Sequence, residues 1–584
     1  MVWHHTRIII MDPNPKRASS PLRPPVLEDS TSSSDEGEIV GSPKKSKSRA
    51  SIKTADAILS GSVRSASYNI VFQVASRIFT FLLNAFILRY VAHNVLGICN
   101  VRLALLYSTI MFLSREPFRR SCQRKQETDS WRETVNLIWL VVPNTVLWSV
   151  VMGYVWCYFL SQPGPAGSDI SEQYRLSVWI LCLGVILDSL SEVPYIIAQY
   201  FLFTKLRIIG DTTLIAIRSA LLCFAVVYRP EIALVAYASG YLIAAVVVMA
   251  IYYGFFYWLI HVKQDQQSVP FRSIQELLPN FKSGQEVPTE LRMLTWSFFK
   301  QGLLKQLLTE GERYMMTFVD VLSFEEQGLY DLVSNLGSLA ARFIFLPIEE
   351  SSYFYFSQTL HRRAKFTPWD KDAARHCGKV LGNLVRLMIL IGLVAIVYGV
   401  PYSNSVLFLY GGENLSENVV ATRLLQANCV YILIMAVNGI TETFTFAAMT
   451  QDQLDKFNRK LLLFSGVFLF GSFIFVRLFG SVGFFVANGL NMALRVSQSV
   501  YLIRDVFARC DFNPFSYWAP KRLILVLFAL AFVLIVSLQY LFQYGRFIHI
   551  AVGIVLFSFN ALAVYAHERE LFSFFVHMFR NKSA

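Results

Sequence analysis

Phe112-Leu113-Ser114-Arg115-Glu116 and Phe345-Leu346-Pro347-Ile348-Glu349 decide how this chain is read, because each belongs to the second of two consecutive apolar runs with polar groups at matching places. In the run before the first phrase, Gln73, Arg77 and Asn84 are spaced i, i+4, i+11, and before the second phrase Gln301, Lys305 and Glu312 repeat that spacing. The pairing reads as a duplicated membrane unit. Ionisable groups at membrane depth cost about 2.5–3.5 kcal/mol each on insertion scales, so they usually mark a substrate or ion path. A duplicated fold with such groups between its halves is the pattern of a transporter.

Composition agrees. Of 584 residues, 54% are hydrophobic and 16% charged, and the mean hydropathy is +0.44, whereas soluble domains carry about 25% charged residues. The net charge of +13 does not point to nucleic acid, because most Lys and Arg fall in short loops between apolar runs, where they set orientation. The cysteines are scattered, with no C-x-x-C pair and no Cys/His spacing suited to zinc, so neither a metal, a cofactor nor a disulfide framework is expected. A phosphate-binding G-x-x-x-x-G-K-[ST] loop and a Ser/His/Asp set are both missing, and the chain does not read as an enzyme.

A bilayer-spanning helix needs about 20 mostly apolar residues. Fourteen segments qualify: about 67–90, 96–114, 133–160, 174–203, 209–228, 231–260, 293–319, 326–356, 377–402, 424–449, 461–477, 481–503, 523–543 and 547–566. The weakest is 293–319, which is broken by charge. With the N-terminus cytosolic, the cytosolic loops are crowded with cations such as Arg119, Arg120, Arg362, Arg363 and Lys365, while the opposite loops hold only Arg175, Arg229, Arg423, Arg477 and Arg546. This asymmetry supports the orientation and places both termini in the cytosol. The expected fold is an all-α polytopic membrane protein: two parallel six-helix lobes plus two C-terminal helices.

The lobes are read as 64–260 and 293–503, followed by the helix pair in 504–566 and a cytosolic tail, 567–584. Residues 1–60, rich in Ser, Pro, Lys and Glu, are expected to be a disordered cytosolic tail. The linker 261–292 carries Phe271, Ile274, Leu277, Leu278 and Phe281, a spacing that predicts a short interfacial helix or, alternatively, an ordinary surface linker. Asn414-Leu415-Ser416 is a glycosylation sequon in a loop placed outside the cytosol.

Polar stripes fall on the first two helices of each lobe. Gln73, Arg77, Thr80 and Asn84 share a face of the first, and the second adds Asn100, Arg102, Tyr107, Ser108 and Thr109. The second lobe offers Gln301, Lys305 and Glu312, with Glu310 and Arg313 as a pair on another face, then Asp331, Asn335, Ser338, Arg342 and Glu349. Four facing stripes favour a wet cleft between the lobes over simple interhelical bonding, although single residues such as Arg342 and Asp331 fit either role. Arg77, Arg89, Arg102, Lys305, Arg342, Arg386 and Arg495 lie within or near spans and suit an anionic head group, the first five being the expected pyrophosphate ligands. Glu312, Asp331 and Glu349 would balance charge or accept bonds from sugar hydroxyls. Arg115, Glu116, Arg119 and Arg120 form a cytosolic cluster that reads either as a phosphate-gathering entrance or as plain positive-inside topology.

Several long strings carry a resemblance: Asn84-Ala85-Phe86-Ile87-Leu88-Arg89-Tyr90, the segment from Asn100 to Thr109, the segment from Phe112 to Arg120, the segment from Leu346 to Phe356, and Thr441-Glu442-Thr443-Phe444-Thr445-Phe446-Ala447-Ala448-Met449. From about residue 64 onward the chain resembles the eukaryotic endoplasmic-reticulum family assigned to translocating dolichol-linked oligosaccharide, within the multidrug, oligosaccharidyl-lipid and polysaccharide exporter superfamily. The resemblance implies a dolichyl-pyrophosphate heptasaccharide as cargo, the endoplasmic-reticulum membrane as location, glycosyltransferases of the dolichol pathway as neighbours, and a lateral groove for the lipid tail at the last two helices. A non-transporting factor that binds the same lipid, or scaffolds its enzymes, is the rival reading. A small-molecule antiporter on the same fold is disfavoured, because Arg77 and Asn84 stand where a coupling carboxylate is expected in the first helix.

Overall fold

The structure is a computed structural model describing residues 86, 89, 91–123, 131–262 (without 166 and 202), 271–279, 289–360 (without 320), 370–508, 512–542, 546–569 and 571. Most of the expected first span, including Gln73, Arg77 and Asn84, the tail 1–60 and nearly all of the C-terminal tail lie outside the described residues, as do the side chains of Gln301 and Lys305. Everything described is helix or connection, with no strand among the described residues.

Eleven helices among the described residues are long and apolar enough to cross a membrane. In the first half these are α1 (His93–Cys122), α2 (Trp131–Phe159), α3 (Asp169–Ser189), α5 (Lys205–Tyr228) and α6 (Pro230–His261). A short helix, α4 (Glu192–Tyr200), lies between α3 and α5. In the second half they are α9 (Phe324–Thr359), α10 (Arg375–Gly399), α11 (Val419–Ala448), α12 (Asp452–Phe479), α14 (Arg522–Gln539) and α15 (Ile548–His567). The expected span 293–319 is two helices, α7 (Thr289–Thr309) and α8 (Gly311–Phe318), meeting at Glu310. The expected span 481–503 is helix α13 (Val482–Ala508). The expected span 174–203 is split between α3 and α4. Pro194 falls in the first turn of α4, where its missing N–H costs nothing.

Local chemistry sets several ends. Ser323 and Glu326 form a reciprocal capping box at the start of α9, Thr450 and Gln453 another at α12, and the Asn418 side chain caps α11. Gly480, with φ of 59°, ends α12 and turns the chain directly into α13. Of the linker between the halves, 261–262 and 271–279 are among the described residues. The stretch 271–279 holds a 3₁₀ turn, Ile274–Leu277, and both Phe271 and Leu277 are buried against the core of the first half. The Trp139 indole N–H donates to the Leu277 carbonyl at 2.8 Å. Of the expected apolar stripe, Phe271 and Leu277 pack inward, Leu278 is exposed, and Phe281 lies outside the described residues.

Two features place the candidate site. First, α1 and α9 each contain an internal π-helical stretch, Ile98–Leu103 and Ala341–Phe345, and each stretch carries an arginine, Arg102 and Arg342. Such wide turns recur at functional positions because they re-aim side chains and free backbone groups. Second, α1 and α9 cross through glycines. A Cβ at Gly97 would lie 1.9 Å from the Phe324 carbonyl oxygen, and one at Gly328 would lie 2.3 Å from that of His93.

Candidate functional site

Below the glycine crossing, side chains of the two halves meet. Arg102 is fully buried. Its Nη2 donates to Ser161 Oγ at 2.8 Å, and the guanidinium lies 5.1 Å from the centre of the Phe324 ring on α9. The Arg102 carbonyl, inside the π stretch, accepts from the Trp156 indole at 3.1 Å. Asn100 is hydrogen-bonded to Asp331 across the halves. Asp331 also accepts from Asn335 Nδ2 at 3.0 Å and pairs with Arg313 at 3.4 Å, and Arg313 in turn pairs with Glu310 at 3.2 Å. Thr109 and Tyr314 share a hydroxyl–hydroxyl bond of 2.8 Å between α1 and α8.

Glu312 and Glu349 face inward in the second half. Glu312 accepts from the Tyr330 hydroxyl at 2.8 Å and from Asn488 Nδ2 at 2.6 Å. Glu349 is buried against Gly439 of α11. Arg342 is half-buried in its π stretch. Arg89 is exposed and donates to the Leu409 carbonyl at 3.1 Å, away from the Asn100–Asp331 contact in sequence and partner. Arg77 lies outside the described residues.

The cluster near the end of α1 is charge-matched. Arg115 is buried, pairs with Asp188 at 2.7 Å and Glu192 at 3.4 Å, and donates to the Val185 carbonyl at 2.8 Å. Arg119 grips both carboxylate oxygens of Glu192, one at 2.9 Å, while its guanidinium lies 4.2 Å from the Tyr195 ring centre. Arg120 pairs with Glu116 one turn away at 2.9 Å. Arg115 and Arg119 are thus matched by two carboxylates from α3 and α4, which braces these helices against α1.

Three other charged sites stand apart from this cluster; Arg495 and Arg386 are among the cations the sequence places within or near spans, whereas the third was not singled out. Arg495 of α13 pairs with Glu442 of α11, and Asn438 Nδ2 donates to the same carboxylate at 3.2 Å. Glu442 falls in the segment Thr441–Met449, but its partner lies 53 residues away. Arg386 of α10 pairs with Glu568 at the end of α15 at 3.2 Å. The third is Arg218 of α5, which donates to the Tyr241 hydroxyl and lies 4.9 Å and 5.8 Å from the ring centres of Tyr241 and Tyr237. Among the described residues no carboxylate lies within ion-pair distance of Arg218. Its run, from Leu214 to Val227, is otherwise uncharged and, apart from Ser219, apolar, so only the lone charge in that run signals it in the sequence. No group of three or more His, Cys, Asp or Glu side chains suited to a metal occurs among the described residues.

The sequence pattern of the Rft-1 family (Rft protein) matches residues 61–578. The chain belongs to the Rft-1 family. A relative, the Xenopus tropicalis Man(5)GlcNAc(2)-PP-dolichol translocation protein RFT1, is 39% identical over 476 residues, covering 81% of this chain and 88% of its own length. Lipid II flippase MurJ, in an inward closed conformation, superposes with a TM-score of 0.54 over 85% of this Rft-1 family chain and 99% of its own, at 12% identity. An inward-facing MATE family multidrug resistance transporter of the MOP superfamily reaches 0.50 over 75% and 99%, at 11% identity. These likenesses carry the fold: the Rft-1 chain is an all-helical, multi-pass membrane protein, as its composition suggests.

Proposed function

We propose that this protein moves dolichyl-pyrophosphate-linked oligosaccharide from the cytosolic to the lumenal leaflet of the endoplasmic reticulum, for protein N-glycosylation. The observation that carries the reading is the polar junction of the two halves, where Asn100, Asp331 and Arg313 meet and Arg102 lies against Phe324 of the opposite half. Relatives named for this translocation support the cargo. A pyrophosphate is matched by guanidinium groups and a glycan by carboxylates and amides, while the lipid tail stays in the bilayer. In this reading Arg77, Arg89, Arg102, Lys305 and Arg342 hold the pyrophosphate, Glu312, Asp331 and Glu349 face sugar or balance charge, and Arg115, Glu116, Arg119 and Arg120 flank the cytosolic mouth. The lobes 64–260 and 293–503 rock against each other, both termini face the cytosol, Asn414 carries a lumenal glycan, and glycosyltransferases of the dolichol pathway lie nearby. No catalysis is assigned. The test is reconstitution of pure protein in liposomes with a labelled dolichyl-pyrophosphate oligosaccharide; failure to move it across the bilayer sinks the proposal.

One observation favours a second reading. Arg115, Arg119, Arg313 and Arg495 already have carboxylate partners, as a static lipid-binding or scaffold factor in the same pathway would require. Cells lacking the protein that still flip the lipid but fail to elongate it would select that reading.

A further inference from the structure

We propose that Arg218, with Tyr107, Tyr237 and Tyr241, forms a phosphoryl-binding site in the first half that grips the phosphate end of a lipid headgroup. The inference rests on the lipid-binding reading above and names a site within it. Arg218 lies about 20 Å along the helix from Lys205 and about 15 Å from Tyr228 at 1.5 Å per residue, which puts it deep in the bilayer. Tyr237 and Tyr241 are one turn apart on α6, so both rings face the same guanidinium. Tyr107 of α1 closes the cage, its ring centre 4.6 Å from that of Tyr241. Gly240 makes this possible: a Cβ there would stand 3.0 Å from the Arg218 Cα, so α5 and α6 approach almost backbone to backbone.

The cage leaves the charge in place. Aromatic rings hold a cation by their faces without neutralising it, and the Tyr241 hydroxyl takes one of five N–H donors of the guanidinium. Arg218 is only half-buried, so the rest of its planar fork is reachable. This differs from Arg115, Arg119, Arg313, Arg386 and Arg495, each of which faces a carboxylate. A planar fork with unspent donors matches two phosphate oxygens in a way that an ammonium does not. The cage also borders the junction of the halves: Tyr237 is within electrostatic reach of Arg313, and Thr109, two residues past Tyr107, bonds Tyr314.

The test uses the full-length protein in detergent micelles, titrated with farnesyl pyrophosphate, inorganic pyrophosphate and farnesol. Farnesyl pyrophosphate binds the wild type, and Arg218→Gln weakens it by roughly tenfold or more, as expected for loss of a charge-assisted bidentate contact, with farnesol binding unmoved. Equal binding by inorganic pyrophosphate assigns the site to free phosphate compounds instead of a lipid headgroup and overturns the lipid part of the proposal. Unchanged affinity in the variant, or no binding by the wild type, overturns it outright. Where Arg218→Gln lowers thermal stability, the wild type decides alone: farnesyl pyrophosphate protects Arg218 from phenylglyoxal, read by peptide mass spectrometry, and unprotected labelling sinks the site. Protein that binds through Arg218 yet moves no lipid in liposomes sinks only the transport reading; protein that transports without protection of Arg218 sinks only this site.

Discussion

A Cβ placed on Gly439 of α11 would stand 1.6 Å from Oε1 of Glu349 on α9. The carboxylate of one helix therefore occupies the space where any other residue of its neighbour would put a side chain. Gly439→Ala forces the carboxylate or the helix to shift, a cost of about 1–3 kcal/mol for overpacking. Thermal denaturation of purified protein reads this as a lowered midpoint. Adding Glu349→Ala to Gly439→Ala recovers part of the loss, because neighbours that clash are not additive. Strictly additive losses would show that the two positions are not in contact.

Glu192 is buried and serves both Arg115 and Arg119. Glu192→Gln leaves two cations with a single carboxylate, Asp188, and is expected to cost about 3–5 kcal/mol, the range for breaking a buried pair. Arg120→Gln removes a pair between partly exposed neighbours and is expected to cost less than about 1 kcal/mol. Protein abundance and thermal midpoint of the two variants check this. If instead both variants kept wild-type stability and both lost lipid transport, the cluster would be an entrance for phosphate and not a brace.

The same cluster shows what a sequence discloses. Arg115 and Arg119 are legible as a cationic group at a helix end, and the apolar runs around them are legible as spans, because helix length and hydropathy are local properties. Their fate is not local. Glu192 lies 73 residues from Arg119, so the cluster resembles a topology signal until α3 and α4 are folded against α1. Asn100 and Asp331 were each legible as members of polar stripes, but their direct bond depends on how the two halves pack. Arg218 was hidden for the opposite reason: tyrosine partners on another helix leave no charge pattern, and a tyrosine in an apolar run looks like ordinary core.

The C-terminal hairpin is clipped to α10 along its length. Glu568 accepts from Arg386 at 3.2 Å and from the Lys521 backbone N–H at 3.1 Å, while Arg386 Nε donates to the Tyr517 carbonyl at 2.8 Å. Farther along, Asn560 Nδ2 donates to the Tyr398 hydroxyl at 2.8 Å, and the Tyr402 hydroxyl donates to the His549 carbonyl at 2.7 Å. Arg386→Ala strands the fully buried Glu568 and is expected to cost about 3–5 kcal/mol. Tyr398→Phe removes one neutral bond and is expected to cost about 0.5–1.5 kcal/mol. Limited proteolysis reads the difference as earlier cleavage near the hairpin in the first variant alone. Equal protection in both would mean that apolar packing around Ile524, Phe528 and Leu571 holds the hairpin without the latch.

Alternating access requires the α1–α9 crossing to part, and its tightness sets how readily it does so. At Gly97 and Gly328 there is no room for a Cβ: the nearest carbonyl oxygens would lie 1.9 and 2.3 Å away. Gly328→Val therefore cannot keep the crossing closed, and it shifts the protein toward states in which the helices are separated there. Ser161, bonded to Arg102 beside this crossing, is a reporter once changed to cysteine, in a background where Cys510, which lies outside the described residues, and half-buried Cys223 are both serine. A polar maleimide then labels Ser161→Cys faster when Gly328→Val is present, at a temperature where the variant remains folded. A ligand affects such an equilibrium only through its preference for one state, so a transported lipid would alter the labelling rate of the Gly328 protein. Labelling that ignores both the valine and the lipid would mean that this crossing is a fixed joint, and the halves would then have to move about some other contact.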